Sequence, residues 1–140
     1  MNPAAIRQTS ASSPQVLVVD DNANSCHLLN LLLSPKYAVL EAHSGESALQ
    51  AIARHQPRLV LLDVMMPGEL DGLQVLDAIK RNPELKHIVV GMVSARDQSA
   101  DDLEARRRGA DAYFTKPFSP REISAWVDSC LQQSPLTAEF

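Results

Sequence analysis

An α/β fold built on a doubly wound, five-stranded parallel sheet is what this sequence predicts, and three features predict it. Short apolar runs alternate with amphipathic stretches, three of the runs are apolar at nearly every position, and the connections between them are short. A strand apolar throughout suits a parallel sheet covered on both faces, whereas a sheet with one wet face would alternate. Repeated strand-then-helix units with brief connections imply right-handed crossovers and an open sheet with helices on both sides.

The elements follow in order. The strands are read at Val16 to Val19, Tyr37 to Leu40, Leu59 to Leu62, Ile88 to Val93 and Ala112 to Phe114. Helical periodicity lies between them, first at Leu28, Leu29 and Leu32, then at Gly45, Ala48, Leu49 and Ile52, then at Leu73, Leu76 and Ile79. The segment Ser99 to Arg108 offers only Ala100, Leu103 and Ala105 as apolar contacts, which predicts a loosely anchored helix. Its end, Arg106-Arg107-Arg108-Gly109, puts cations at a helix C-terminus before a glycine cap, an arrangement the helix dipole favours. The last helix carries Ile123, Trp126, Val127 and Cys130 on one face, and Ser119-Pro120-Arg121-Glu122 opens it as a capping box with proline at N1.

A chain of 140 residues fits one domain able to bury a core without disulfides. Residues 1–14 are expected to be a flexible leader, 15–133 the folded domain and 134–140 a flexible tail. A net charge of −4 opposes binding to nucleic-acid phosphates, so no direct nucleic-acid contact is expected. No apolar run reaches the roughly 20 residues of a membrane span, which predicts a cytoplasmic protein with no membrane partner. Cys26 and Cys130 show no CxxC spacing and no neighbouring ligands, so they read as reduced, packed thiols.

In such sheets ligands collect beyond the carboxyl ends of the strands. The residues ending the apolar runs are Asp20 and Asp21, Asp63, Ser94 and Lys116, while the second run leads only to His43, read as a surface or capping residue. Singly these have ordinary roles, since an Asp initiates helices or caps turns and Ser or Lys is often solvated. Five of them at the ends of consecutive buried strands are harder to assign to chance. Three crowded carboxylates repel unless a cation neutralises them, and Mg2+ suits because it takes one or two carboxylates, keeps waters and leaves room for phosphate oxygens. Lys116 and Ser94 then fit the oxygens of a tetrahedral anion, which together describes a phosphoryl-transfer site.

Through Val16 to Asn22, Leu61-Leu62-Asp63-Val64-Met65-Met66-Pro67, Val93-Ser94-Ala95 and Arg108 to Phe118, the chain resembles the receiver domain of two-component response regulators over nearly all of 15–133. The resemblance implies a flavodoxin-like sheet of order 2-1-3-4-5, Asp63 as phosphoacceptor, Asp21 as a direct Mg2+ ligand, Asp20 as a ligand mainly through water, and the Met65 carbonyl as a further ligand. It implies a cis peptide at Lys116-Pro117 and a switch in which Ser94 and Lys116 meet the phosphoryl group while Tyr113 moves inward. It makes Met65 and Arg96 the flanks that govern the lifetime of the acyl phosphate, and their bulk predicts slow hydrolysis. The implied donor is a sensor histidine kinase or a histidine phosphotransfer protein. The sparse anchoring of Ser99 to Arg108 fits a segment that shifts easily, so the output face is expected on the fourth helix, fifth strand and fifth helix, with a phosphorylation-dependent dimer through it. The chain would assist its own phosphorylation and dephosphorylation without being an enzyme towards other substrates.

Pro67-Gly68-Glu69-Leu70-Asp71-Gly72 holds one residue more than the commonest family version, which leaves that loop's shape open. A Mg2+-dependent phosphatase with an aspartyl nucleophile would need a second Asp where Met65 stands, and a nucleotide-binding module would want a Gly-rich loop where Asp20-Asp21-Asn22 stands. A receiver acting without phosphorylation is the remaining alternative, although all the acidic and lysine positions are kept.

Overall fold

A computed structural model describes residues 13–95 and 99–132, with the side chains of 99–101 outside that description. The proposed leader and tail therefore lie almost wholly outside the described residues. Five strands, β1 (Gln15–Val19), β2 (Ala38–Ala42), β3 (Leu59–Asp63), β4 (Val89–Ser94) and β5 (Ala112–Thr115), alternate with helices. The helices are α1 (Ala23–Leu33), α2 (Gly45–His55), α3 (Gly72–Arg81), α4 (Ser99–Arg107) and α5 (Pro120–Leu131). The strands form one parallel sheet in the order β2-β1-β3-β4-β5, as the resemblance implied.

Two apolar clusters sandwich the sheet, because successive strand residues point to opposite faces. Val16, Val18, Leu59, Leu61 and Val93 face α1 and α5, where they meet Leu29, Leu33, Ile123 and Val127. Leu17, Val19, Val60, Leu62, Val90 and Met92 face α2 and α3, against Ala48, Ile52, Leu76 and Ile79, with Ala105 of α4 joining them. Every residue of β3 is buried, which explains its uninterrupted apolar run up to Asp63.

The boundaries move where local hydrogen bonds outcompete the apolar pattern. Tyr37 was expected to open β2, but its N–H is taken by Leu33 O at 3.0 Å, and the strand instead continues through Glu41 and Ala42 beside Val18 and Val19. Ile88 is likewise held in a turn by Leu85 O at 2.9 Å, so β4 begins one residue later. At α5 the Ser119 hydroxyl accepts from the Glu122 N–H, with Pro120 in the first turn. Reciprocal capping boxes form at Ser44 with Ser47, and at Asp71 with Gln74.

The loop left open by its extra residue exposes Pro67, Gly68 and Glu69, with Gly68 at φ 100°, and is anchored at its end. Leu70 packs on the α2-side core, Asp71 caps α3, and Gly72 N–H bonds Val64 O at 3.0 Å. The α4 helix is sparsely anchored: Leu103 is exposed and Ala105 fully buried. Its terminus is a Schellman turn, with Ala110 N–H bonding Ala105 O, Gly109 N–H bonding Arg106 O, and Gly109 at φ 106°, a conformation that disfavours any side chain.

Candidate functional site

Register brings the acidic residues together. Val19 pairs with Leu62 across β1 and β3, so Asp20 and Asp63, one step further on each strand, emerge side by side. Asp21 joins them, and one carboxylate oxygen from each of Asp20, Asp21 and Asp63 lies within 4.8 Å of the others. Asp20 and Asp63 are buried and Asp21 is exposed, so the cluster runs from the interior to the surface.

The two buried carboxylates are each held by a backbone N–H two residues on. Asp20 Oδ1 accepts from Asn22 N–H at 2.9 Å, and Asn22 then caps α1. Asp63 Oδ1 accepts from Met65 N–H at 3.1 Å. Lys116, delivered by the end of β5, places Nζ 2.6 Å from Asp20 Oδ2 and 3.6 Å from Asp63 Oδ2. Its backbone is fixed by an N–H bond to Ser94 O at 2.6 Å.

Electrostatics follow from this crowding. Burial, then the neighbouring Asp20 charge, raises the Asp63 carboxyl from 3.8 to about 6, despite opposition from Lys116 and the Met65 N–H. For Lys116, burial alone would favour the neutral amine, but the Asp20 hydrogen bond and the Asp63 charge outweigh it and hold the ammonium above its ordinary range. One lysine thus serves two buried carboxylates, and the donor set of three hard oxygens suits a divalent ion such as Mg2+.

The other residues singled out from the sequence fall as follows. Ser94 ends β4, fully buried, beside Thr115 of β5. Tyr113 is half-buried against the α2-side cluster, beside Met92. Met65 is exposed. The Lys116-Pro117 bond is cis. Arg96 lies outside the described residues. His43 is exposed and the cap of α2 is Ser44 instead.

Two features escaped sequence reasoning. A Cβ on Gly72 would sit 2.0 Å from the Asp63 carbonyl oxygen, so only glycine lets α3 begin against the acceptor strand. The expectation that Cys26 has no neighbouring ligands is also corrected: Cys26, Glu41 and His43 bring ligand atoms within 4.8 Å of one another. Glu41 and His43 are alternate residues at a strand end, and that i, i+2 spacing was the available signal.

Fold and rim together define a doubly wound α/β domain with an acidic, lysine-bearing site at the carboxyl ends of its strands. The chain belongs to the response regulator receiver domain family, whose model matches residues 16–128. It is 38% identical over 125 residues to the alkaline phosphatase synthesis transcriptional regulatory protein PhoP of Bacillus subtilis (strain 168), covering 89% of this chain and 51% of that protein. It is 34% identical to the phosphate regulon transcriptional regulatory protein PhoB of Escherichia coli (strain K12), covering 89% and 55%. The chain thus spans about half the length of the curated relatives it matches. Among solved structures, the Francisella response regulator 1452 receiver domain superposes with TM-score 0.76 at 29% identity, covering 84% of this chain and 95% of that one. The BeF3-activated DrrB receiver domain does so with TM-score 0.79 at 27% identity, covering 86% and 99%. Among the described residues no helix is long and apolar enough to cross a membrane.

Proposed function

We propose that this receiver domain is a phosphorylation switch in which Asp63 takes a phosphoryl group from a phosphohistidine of a sensor histidine kinase or histidine phosphotransfer protein. The observation that carries the reading is the convergence of three carboxylates and one lysine at the end of the central strand pair. Asp20, Asp21 and Asp63, with the Met65 carbonyl, would hold Mg2+. The bound ion would supply positive charge to the oxygens of the transferring group.

The chain's own residues do the rest. Around pH 7 an Asp63 carboxyl titrating near 6 is largely ionised, so it can attack phosphorus. The new bond is from an Asp63 oxygen to phosphorus, the bond broken is from phosphorus to the imidazole nitrogen, and the imidazole leaves with the electron pair. Lys116, now closer to Asp20 than to Asp63, would turn to the phosphoryl oxygens. The Ser94 hydroxyl would follow, and Tyr113 would move inward to report the change. The chain would assist its own phosphorylation and dephosphorylation and act on no separate substrate, with Met65 and Arg96 shielding the acyl phosphate from water.

The output would pass through α4, β5 and α5, to an attached domain, a downstream protein or a second copy of the chain. Cytoplasmic location follows from a kinase donor of this kind. Incubation with a small-molecule phosphodonor and Mg2+ should add one phosphoryl mass to the wild type and none to Asp63→Asn. Equal addition to both, or to neither, would sink the proposal.

A further inference from the structure

A second cluster of metal-ligand types lies at the edge of the sheet, on the α1 side of β2. Glu41 and His43 project to the same face as Val39, which packs on the α1 and α5 cluster, while Ala42 points the other way. Cys26, on the inner face of α1, meets them there. Its Sγ approaches Asp20 O at 3.4 Å, Ala42 O at 3.8 Å and Val18 O at 3.9 Å, so the thiol hangs directly beneath the end of β2. His43 Nε2 is 3.5 Å from Glu41 Oε1. Asn30, one turn along α1 from Cys26, donates to the other Glu41 oxygen at 2.7 Å and fixes that carboxylate.

We propose that Cys26, Glu41 and His43 form a second metal site, selective for a divalent transition ion of the zinc class and separate from the carboxylate cluster. One sulfur, one imidazole nitrogen and one carboxylate oxygen are donors that zinc accepts, whereas Mg2+ prefers oxygen alone. Zinc bond lengths put tetrahedral donors roughly 3.5 Å apart. The three ligand atoms lie within 4.8 Å, and the two that must close in belong to exposed side chains. Binding releases the Cys26 thiol proton to solvent and replaces its long contacts to backbone carbonyls with one metal–thiolate bond. Glu41 and His43 face solvent, which leaves the fourth position to water. Asn30 acts as a positioning residue, in the manner of hydrogen-bonded partners that orient metal-bound carboxylates.

The test uses the reduced, metal-free full chain, titrated with Co2+ as an optical probe and then with Zn2+ in competition. The expected result is cobalt–thiolate charge-transfer absorption that saturates at one ion per chain and is bleached by Zn2+. It should vanish in Cys26→Ser, and persist in Cys130→Ser and in the Asp21→Asn, Asp63→Asn double variant. That last variant separates this site from the proposed phosphoryl site, so either proposal can fail alone. Because Cys26 is buried, the solvent-facing His43→Ala and the Asn30→Ala variants give a second reading. Asn30→Ala should weaken binding by about 10–100-fold, and His43→Ala by at least as much. Absence of the thiolate band from the wild type, its survival in Cys26→Ser, or unchanged affinity in His43→Ala would each overturn the proposal.

Discussion

Asp63 is the residue whose surroundings ask most of the fold. A buried carboxylate beside a second one is costly to ionise, and its titration near 6 expresses that cost. The folded state binds this proton more tightly than the unfolded chain, for which 3.8 is the reference. The folded protein is therefore relatively favoured below that value and loses the advantage as pH rises through 6. Without divalent ions, Asp63→Asn should raise unfolding free energy by on the order of 2 kcal/mol at pH 8 and by almost nothing near pH 4. Urea denaturation at the two pH values measures this, and a gain of equal size at both would contradict it. Gly72 is the complementary case, since its hydrogen is all that fits against the Asp63 carbonyl. Gly72→Ala should cost about 1–3 kcal/mol through overpacking and reduce phosphoryl uptake, with both measured on one preparation by urea titration and intact mass. Asp63 was legible because it ends an apolar run, whereas Gly72 was not, because its role depends on a contact that no local pattern encodes.

Among the elements, the contrast between β3 and α4 is the most telling. Strand β3 is buried at every position, and its apolar run identified it without help. The weakness of α4 was also readable, because few of its residues are apolar, but its actual restraint was not. Arg108, one of the cations at a helix end in the sequence, bridges Glu104 at 2.7 Å and reaches across to Asp77 of α3 at 3.0 Å. Such a partly exposed pair contributes little globally, yet among the described side chains of α4 only Ala105 is buried beside it. Asp77→Asn should therefore leave overall stability nearly unchanged while accelerating amide exchange in α4 about two- to fivefold, in line with a surface ion pair. The effect should shrink at high salt, where the wild-type pair is screened. Uniform acceleration across β1 and β3 would show instead that the pair supports the whole domain. Strand limits at Tyr37 and Ile88 were misplaced for a different reason: both side chains are buried, but their N–H groups are committed to turns.

At the scale of the whole molecule, the order of the strands puts the acidic rim in the middle of the sheet and β5 at its edge. Periodicity predicted five parallel strands covered on both faces, while the order came from the resemblance, since apolar runs carry no information about their neighbours. The same is true of the pairing of Cys26 with Glu41 and His43, which parallel register and helix packing create together. Lys116 joins the centre to the edge, because it grips Asp20 and Asp63 from the end of β5. Its neighbours along the chain include Tyr113, which packs into the α2-side cluster that also holds Ala105 of α4. A new anion at Asp63 would draw Lys116 away from Asp20, and the pull would reach α4 and β5 before it reached β2. Beryllium fluoride with Mg2+ should accordingly change amide exchange in α4, β5 and the start of α5, and leave β2 and the middle of α2 as they were. Asp63→Asn should abolish the response. Equal exchange in α4 and β5 with and without the ligand, at a concentration where binding is demonstrated, would mean that charge at the centre does not reach this edge.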